Sequence, residues 1–174
     1  MRNLSTVSLT LIILATSLSS VAKSEEKLWK SGVATVIVTP GQSMWMAGYA
    51  SRNKPSEGKV HDLFAKALAL EDPAGNRIVF LTTDLISIPR DLREWLQEEC
   101  VREYQLAHES LLMNASHTHC GPELRASKAS LYGAAAEQVS HTENYYNNLK
   151  QKLLDLVGQA LQKLEPSRLG YTHG

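Results

Sequence analysis

The fold of this chain is decided by the stretch FAKALALEDPAGNRIVFLTT, residues 64–83. By propensity alone, the alanines and leucines of 64–71 could form a helix. The run 77–83, however, is rich in β-branched residues and predicts a strand, and the residues 73–76 between the two runs are typical of a turn. Because two runs joined by so short a turn indicate a hairpin, we assign 64–71 to a strand.

The sequence on either side of this hairpin predicts alternating strands and helices. Apolar periodicity and terminal signals indicate strands at 29–39 and 111–115, a helix from Pro89 to about Leu106, a long helix over 142–164, and a further strand beginning at Arg168. The polar, Ala- and Ser-rich residues 123–141 predict a loop with a helical turn. The order of elements predicts an α/β fold with a mixed β-sheet flanked by helices.

Composition bounds the class of protein. A chain of 174 residues, of which 43% are hydrophobic and 21% charged, is long enough for one globular domain with a core. Eighteen basic and eighteen acidic side chains cancel, so there is no electrostatic reason to expect a nucleic-acid partner or an anionic membrane partner.

The N-terminus is typical of a secretory signal peptide. Arg2 precedes an apolar run over 7–18, small residues at Ser20 and Ala22 suit a signal peptidase, and charged residues follow. The alternative is a membrane anchor, but the run is shorter than the roughly 20 residues that span a bilayer. We therefore expect residues 1–22 to be removed and residues 23–174 to be secreted or periplasmic. In an oxidising compartment Cys100 and Cys120 could pair, and the sequence does not decide whether they do.

The segment NASHTHCGP, residues 114–122, carries the strongest chemical signal. On an extended backbone, residues i and i+2 point to the same side, so His117 and His119 would project together from a strand end into a cleft. Imidazole nitrogen is a preferred zinc ligand. A polar surface loop is the alternative interpretation, but a buried strand before the pair and the Gly121-Pro122 turn after it favour a metal site.

This histidine pair does not complete a catalytic zinc site, which needs about three protein ligands. Further candidate ligands in the chain are His61, His108, His141 and Asp84. Spacing selects none of them, and Asp84 could equally cap a turn after its strand. The apolar residues Met44, Trp45, Met46 and Tyr49 in a loop-like segment either cover a core edge or line a pocket for an apolar ligand.

Five segments of the sequence are informative together: GVATVIVTP at 32–40, MAGYA at 46–50, HDLFAKAL at 61–68, Asp84-Leu85, and SHTHCGP at 116–122. They resemble segments of the neutral/alkaline non-lysosomal ceramidase family. The last segment is similar to the family's His-Thr-His-Ser-Gly-Pro signature, with Cys120 in place of serine. These segments occur in the family's order and are spread over residues 32–122.

The resemblance implies a function. It makes His117 a ligand of a catalytic zinc ion and His119 a catalytic residue that contacts the attacking water or the oxyanion. The implied reaction is attack of metal-activated water on the amide of N-acyl sphingosine, giving sphingosine and fatty acid. A ceramide-like lipid would be the substrate, reached by transient contact with a membrane surface, with no obligate protein partner. Zinc-bound histidines are commonly held in place by a carboxylate on the other ring nitrogen, and Asp84 could orient a ligand histidine in this way.

The family's other zinc ligands, a histidine, a glutamate and a tyrosine, lie beyond the matched segments. We therefore expect residues 23–174 to be the N-terminal part of a larger catalytic domain. Two alternatives stay open: a truncated, non-catalytic ceramidase-like domain with an incomplete metal site, and a metal hydrolase of the amidohydrolase type. In the second type a His-x-His pair follows the first strand of a barrel, whereas about four elements precede the pair here.

Overall fold

The computed structural model describes residues 28–170 and residue 172. The elements of this part follow one another as β1 (Trp29–Ile37), β2 (Phe64–Glu71), β3 (Arg77–Thr83), α1 (Arg90–Tyr104), a 3₁₀ turn (His108–Ser110), β4 (Leu111–Ala115), α2 (Ala126–Leu131), α3 (Ala136–Gln162) and β5 (Glu165–Ser167). The predicted signal peptide at 1–22 lies outside the described residues. Within the described part, no helix is both long and apolar enough to cross a membrane.

The five strands form one mixed sheet in the order β4-β3-β2-β1-β5. β2 pairs antiparallel with β1 and β3, and β5 pairs antiparallel with β1. β4 runs parallel to β3, and α1 makes the crossover connection that a parallel pair requires. The predicted α/β fold with a mixed sheet is confirmed.

The central hairpin forms as its sequence predicts. Alternate residues of β2, Ala65, Ala67 and Ala69, are buried, whereas Leu68 between them is exposed. The turn is held by the Asp72 carboxylate, which accepts hydrogen bonds from the backbone N–H groups of Ala74 and Asn76, both at 2.8 Å. The turn chemistry and the alternation together outweigh the helix propensity of this run.

Helices α1 and α3 cover one face of the sheet. The shared core contains Leu92 and Leu96 of α1 and Leu153 and Val157 of α3, packed against the alanines of β2. The opposite face is open to solvent in the described part of the chain and carries an apolar row across four strands. Its members, paired in register, are Val33, Leu68, Phe80 and Leu112.

Two sequence-based boundaries are wrong. α3 begins at Ala136 rather than at Thr142, because its first turns are polar and bury little, so they lack an apolar period. The strand predicted from Arg168 is instead β5, which ends at Ser167 and contains Pro166. A proline is tolerated there because β5 lies at the sheet edge.

The two cysteines are free thiols and are not paired. Cys100 lies in the core on α1, and Cys120 is exposed in the histidine segment. Burial raises the pKa of the Cys100 thiol to about 12. That shift leaves Cys100 protonated and unreactive at neutral pH.

Candidate functional site

The histidine segment leaves the sheet where β3 and β4 end side by side. The Ser116 N–H donates a hydrogen bond of 2.9 Å to the Thr83 carbonyl, which continues the pairing one step beyond β4. Since the strands are parallel, the residues after both carboxyl ends meet at one edge of the sheet. This edge is a favoured position for functional residues in α/β folds.

The two histidines come together, although not on an extended backbone. His117 has φ 59°, in the left-handed region that β-strand residues avoid. The predicted strand-like geometry is therefore wrong, because the chain turns directly after Ser116. The turn still places the ring centroids of His117 and His119 at 5.1 Å, with the ring planes at 69°. The segment thus supplies two neighbouring imidazoles.

His117 is oriented by a backbone carbonyl. Its Nδ1 lies 2.8 Å from the Ile86 carbonyl oxygen. Since a carbonyl only accepts hydrogen bonds, Nδ1 carries the proton and Nε2 of the neutral ring keeps its lone pair. A ring N–H bonded to a carbonyl is the usual outer support of a metal-bound histidine. The lone pair of His117 Nε2 is therefore available to bind a metal ion.

Asp84 does not orient either histidine. Its Oδ2 accepts a hydrogen bond of 2.9 Å from the Phe64 N–H, and its own N–H donates to the Phe64 carbonyl at 2.9 Å. The carboxylate thus fixes the start of β2 against the end of β3. The orienting role considered for Asp84 belongs to the Ile86 carbonyl, and Asp84 instead joins the two strands of the hairpin at their open end.

A loop over residues 44–52 packs against His119 and the residues after it. Backbone hydrogen bonds of 2.9 Å join the Ala47 N–H to the Gly121 carbonyl and the Glu123 N–H to the Trp45 carbonyl. The Tyr49 ring meets the His119 ring edge-on, with centroids 4.8 Å apart. This loop therefore forms a wall of the site on the side of His119.

The three other histidines that the structure describes form no ligand cluster with this pair. His61 and His108 are exposed, and His141 lies on α3 with its Nε2 3.8 Å from Glu137. Across the described residues, no group of three or more His, Cys, Asp or Glu side chains is arranged to hold a metal ion. This part of the chain thus offers one oriented donor and one neighbouring imidazole, fewer than a catalytic zinc ion needs.

An open groove of about 940 Å³ begins beside the histidine segment. Cys120 and Pro122 line one side of it, Met46 and Ile37 supply apolar surface, and His61 lies in its wall. Met44 and Trp45, in contrast, are buried, so these two cover the core edge. Of the apolar loop residues noted in the sequence, Met46 is the one that lines the groove.

The wall of the groove is fixed by a contact between two of the family-like segments. The Thr39 hydroxyl donates to Asp62 Oδ1 at 2.8 Å and accepts from the Leu63 N–H at 2.8 Å. Lys59 also donates to Asp62 Oδ1, at 2.7 Å. The hydrogen bonds from Lys59 and Thr39 lower the pKa of the Asp62 carboxyl. Asp62 therefore acts in structure rather than as a proton donor.

Residues 30–174 match the family model described as neutral/alkaline non-lysosomal ceramidase, N-terminal. The chain belongs to this family. The membership and the fold inferred from the sequence segments are both confirmed.

Individual ceramidases show the extent of the similarity. Neutral ceramidase A of Dictyostelium discoideum is 25% identical over 150 residues, which make up 84% of this chain and 21% of that protein. The crystal structure of neutral ceramidase from Pseudomonas aeruginosa matches with a TM-score of 0.68 at 22% identity, over 82% of this chain and 23% of that one. A ceramidase complexed with C2 matches with a TM-score of 0.66 at 22% identity, over 81% and 22%.

This ceramidase-family chain thus spans about a fifth of the length of the relatives it matches. The open five-stranded sheet, with the histidine pair after β4, also differs from a barrel in which such a pair follows the first strand. The amidohydrolase-type alternative is therefore wrong for this chain.

Sequence reasoning missed one charged residue of the site. Glu123, directly after the Gly-Pro turn, is only 2% exposed. Its Oε1 accepts hydrogen bonds from the backbone N–H and Nε of Arg125, at 3.1 and 2.9 Å, and Lys128 Nζ lies 3.8 Å from Oε2. These contacts compensate the buried charge and join the turn to α2. The spacing of Glu123 and Arg125 in the sequence could have indicated an ion pair. It could not have indicated that the Glu123 side chain is buried.

Proposed function

We propose that this chain forms the N-terminal part of a zinc-dependent amide hydrolase of the ceramidase type, which cleaves N-acyl sphingosine to sphingosine and a fatty acid. Family membership supports the reaction class. The observation that carries the proposal is the Ile86 carbonyl on His117 Nδ1, because it frees Nε2 for a metal beside a second imidazole.

The two histidines of this segment would have different roles in the reaction. Bound zinc would supply a Lewis acid that lowers the pKa of a water molecule and polarises the amide carbonyl. His117 would hold the metal through Nε2. His119, whose ring lies 5.1 Å from that of His117, would exchange a proton with the reacting amide or stabilise negative charge developing on its oxygen. The remaining ligands would come from outside the described residues.

The groove beside Cys120 would hold part of the lipid. Its apolar side chains, including Met46, suit a hydrocarbon chain, and it opens next to the histidine segment. We expect Met46→Asp to lower hydrolysis of a long-chain N-acyl substrate while leaving that of a short-chain substrate nearly unchanged. Equal rates for the variant and the wild-type protein on the long-chain substrate would exclude this use of the groove.

We also propose that the protein is exported, with residues 1–22 as a cleaved signal peptide, and that it meets its lipid at a membrane surface. N-terminal sequencing of the mature protein tests the first part. A first residue at Lys23 is the expected result, and a mature protein that retains Met1 would contradict it.

The second candidate function is a non-catalytic ceramidase-like domain. It is favoured by the lack of a three-ligand cluster within residues 28–170. Measurement of zinc stoichiometry and ceramide hydrolysis on the 174-residue chain tests the second candidate, because turnover with one zinc per chain would exclude it. The proposed hydrolase takes its remaining zinc ligands from outside the described residues, so the chimera described next, which supplies them, decides between the two.

A chimera tests the contribution of this chain to catalysis directly. Residues 30–174 would replace the matched portion of Neutral ceramidase A, and circular dichroism would establish that the chimera folds. The hydrolase proposal predicts ceramide turnover that depends on His117. A folded chimera that binds zinc and hydrolyses no ceramide would contradict it.

A further inference from the structure

Residues 48–52 hold His119 from two sides, and glycine is required for the approach. Gly48 has φ +105°, and a Cβ built on it would lie 2.6 Å from His119 Cγ and 2.9 Å from His119 Cα. Contacts under 3.0 Å with both the ring and the backbone leave no room for a methyl group. The loop backbone therefore lies directly against His119.

The side chains after Gly48 contact both the ring and the main chain of the same histidine. The Tyr49 ring lies edge-on to the His119 ring at 4.8 Å. Arg52 Nη2 donates a hydrogen bond of 2.6 Å to the His119 carbonyl, and the Arg52 guanidinium lies 5.2 Å from the Tyr49 ring centroid. Arg52, Tyr49 and His119 thus contact one another, and we call Tyr49 and Arg52 together the Tyr49 clamp.

The clamp sits on a fixed base. The backbone of residues 45–47 is hydrogen-bonded to residues 121–123, and Met46 pairs with Pro122. The His119 ring is consequently bounded by Tyr49 on one side and by His117 on another, at 4.8 and 5.1 Å. Aromatic rings prefer this edge-to-face arrangement, which restricts rotation of the imidazole.

We infer that Tyr49 and Arg52 are positioning residues, which orient the His119 imidazole towards His117 before metal or substrate binds. The catalytic consequence rests on the proposed function. Tyr49 contacts His119 through its ring, and its hydroxyl makes no hydrogen bond within the described residues, so Tyr49→Phe should retain the clamp and Tyr49→Leu should lose it. A misplacement of about 1 Å at a catalytic group costs on the order of 100-fold in rate.

The first test uses NMR of the 174-residue protein without metal. NOE cross-peaks should join the ring protons of Tyr49 to those of His119, and the ring protons of His119 to those of His117. We expect them in the wild-type protein and in Tyr49→Phe. Tyr49→Leu and Arg52→Ala should weaken the cross-peak between His117 and His119. Tyr132→Leu is the matched control, because Tyr132 is also partly exposed and contacts a cation, Lys128, but lies at the end of α2 and makes no ring contact with His117 or His119.

The second test is kinetic and uses the chimera. Tyr49→Leu should lower kcat by about 10- to 100-fold with a smaller change in KM, and Tyr49→Phe should restore most of kcat. An unchanged cross-peak between His117 and His119 in a folded Tyr49→Leu protein would overturn the inference. If the wild-type chimera has no turnover, the proposed function fails, and the cross-peaks alone decide whether the clamp orients His119.

Discussion

Substitution of Gly48 by alanine perturbs the site through a single methyl group. Two costs add: alanine at φ +105° costs about 1–2 kcal/mol, and insertion into the 2.6–2.9 Å contact with His119 costs about 1–3 kcal/mol more. Because the contact includes the His119 backbone, the loop or the histidine must move. We expect Gly48→Ala to lose stability and also to weaken the cross-peak between His117 and His119.

Gly75→Ala is the matched control. Gly75 has φ +92°, close to that of Gly48, but no atom lies within 4 Å of a Cβ placed there. It lies in the turn at the start of β3, whereas the site lies where β3 ends. Gly75→Ala should carry only the backbone cost of about 1–2 kcal/mol, which lowers Tm by about 2–8 °C for a chain of this size. The Tm of Gly48→Ala should fall further than that of Gly75→Ala. Equal Tm losses for the two variants, with the histidine cross-peak unchanged in both, would refute the close approach.

Two further predictions concern the exposed thiol and a surface carboxylate. A thiol reagent should label Cys120 and leave Cys100 unmodified in the folded protein. Cys120→Ser should therefore abolish labelling. Modification of two thiols per native chain would contradict the burial of Cys100. Because hydrogen bonds from Lys59 and Thr39 lower the pKa of Asp62 below 3.8, its contribution to stability is present above that pH and is lost as the pH falls through the folded-state pKa. Asp62→Asn should therefore flatten the fall of the urea midpoint below about pH 4, and a variant curve parallel to that of the wild-type protein would count against this contact.

Local signals in the sequence were sufficient for four of the five strands of the sheet. The hairpin could be predicted because Asp72 and the residues after it have strong turn chemistry, and β3 has a clear β-branched run. β5 could not be placed, because a three-residue edge strand is defined by its pairing with Trp29–Ser31 and not by its own composition. Long-range pairing leaves no periodic pattern in so short a run.

The site was only partly predictable for a similar reason. The His-x-His spacing identified two neighbouring imidazoles, but the left-handed φ of His117 that brings them together depends on tertiary contacts. The support from the Ile86 carbonyl could not be read from the sequence, since every residue has a carbonyl group. Tyr49 and Arg52 likewise meet His119 only because the loop folds back across Gly121.

We propose that His117 is a zinc ligand oriented by the Ile86 carbonyl. The chimera supplies the ligands that lie outside the described residues, so zinc competition titration of the chimera in its wild-type form, with His117→Ala and with the exposed control His108→Ala tests this proposal directly. Loss of a ligand should weaken zinc binding by more than the roughly 10- to 100-fold typical of outer-shell substitutions, while His108→Ala should bind as the wild-type chimera does. Equal zinc affinity in the wild-type chimera and a folded His117→Ala chimera would contradict the proposal.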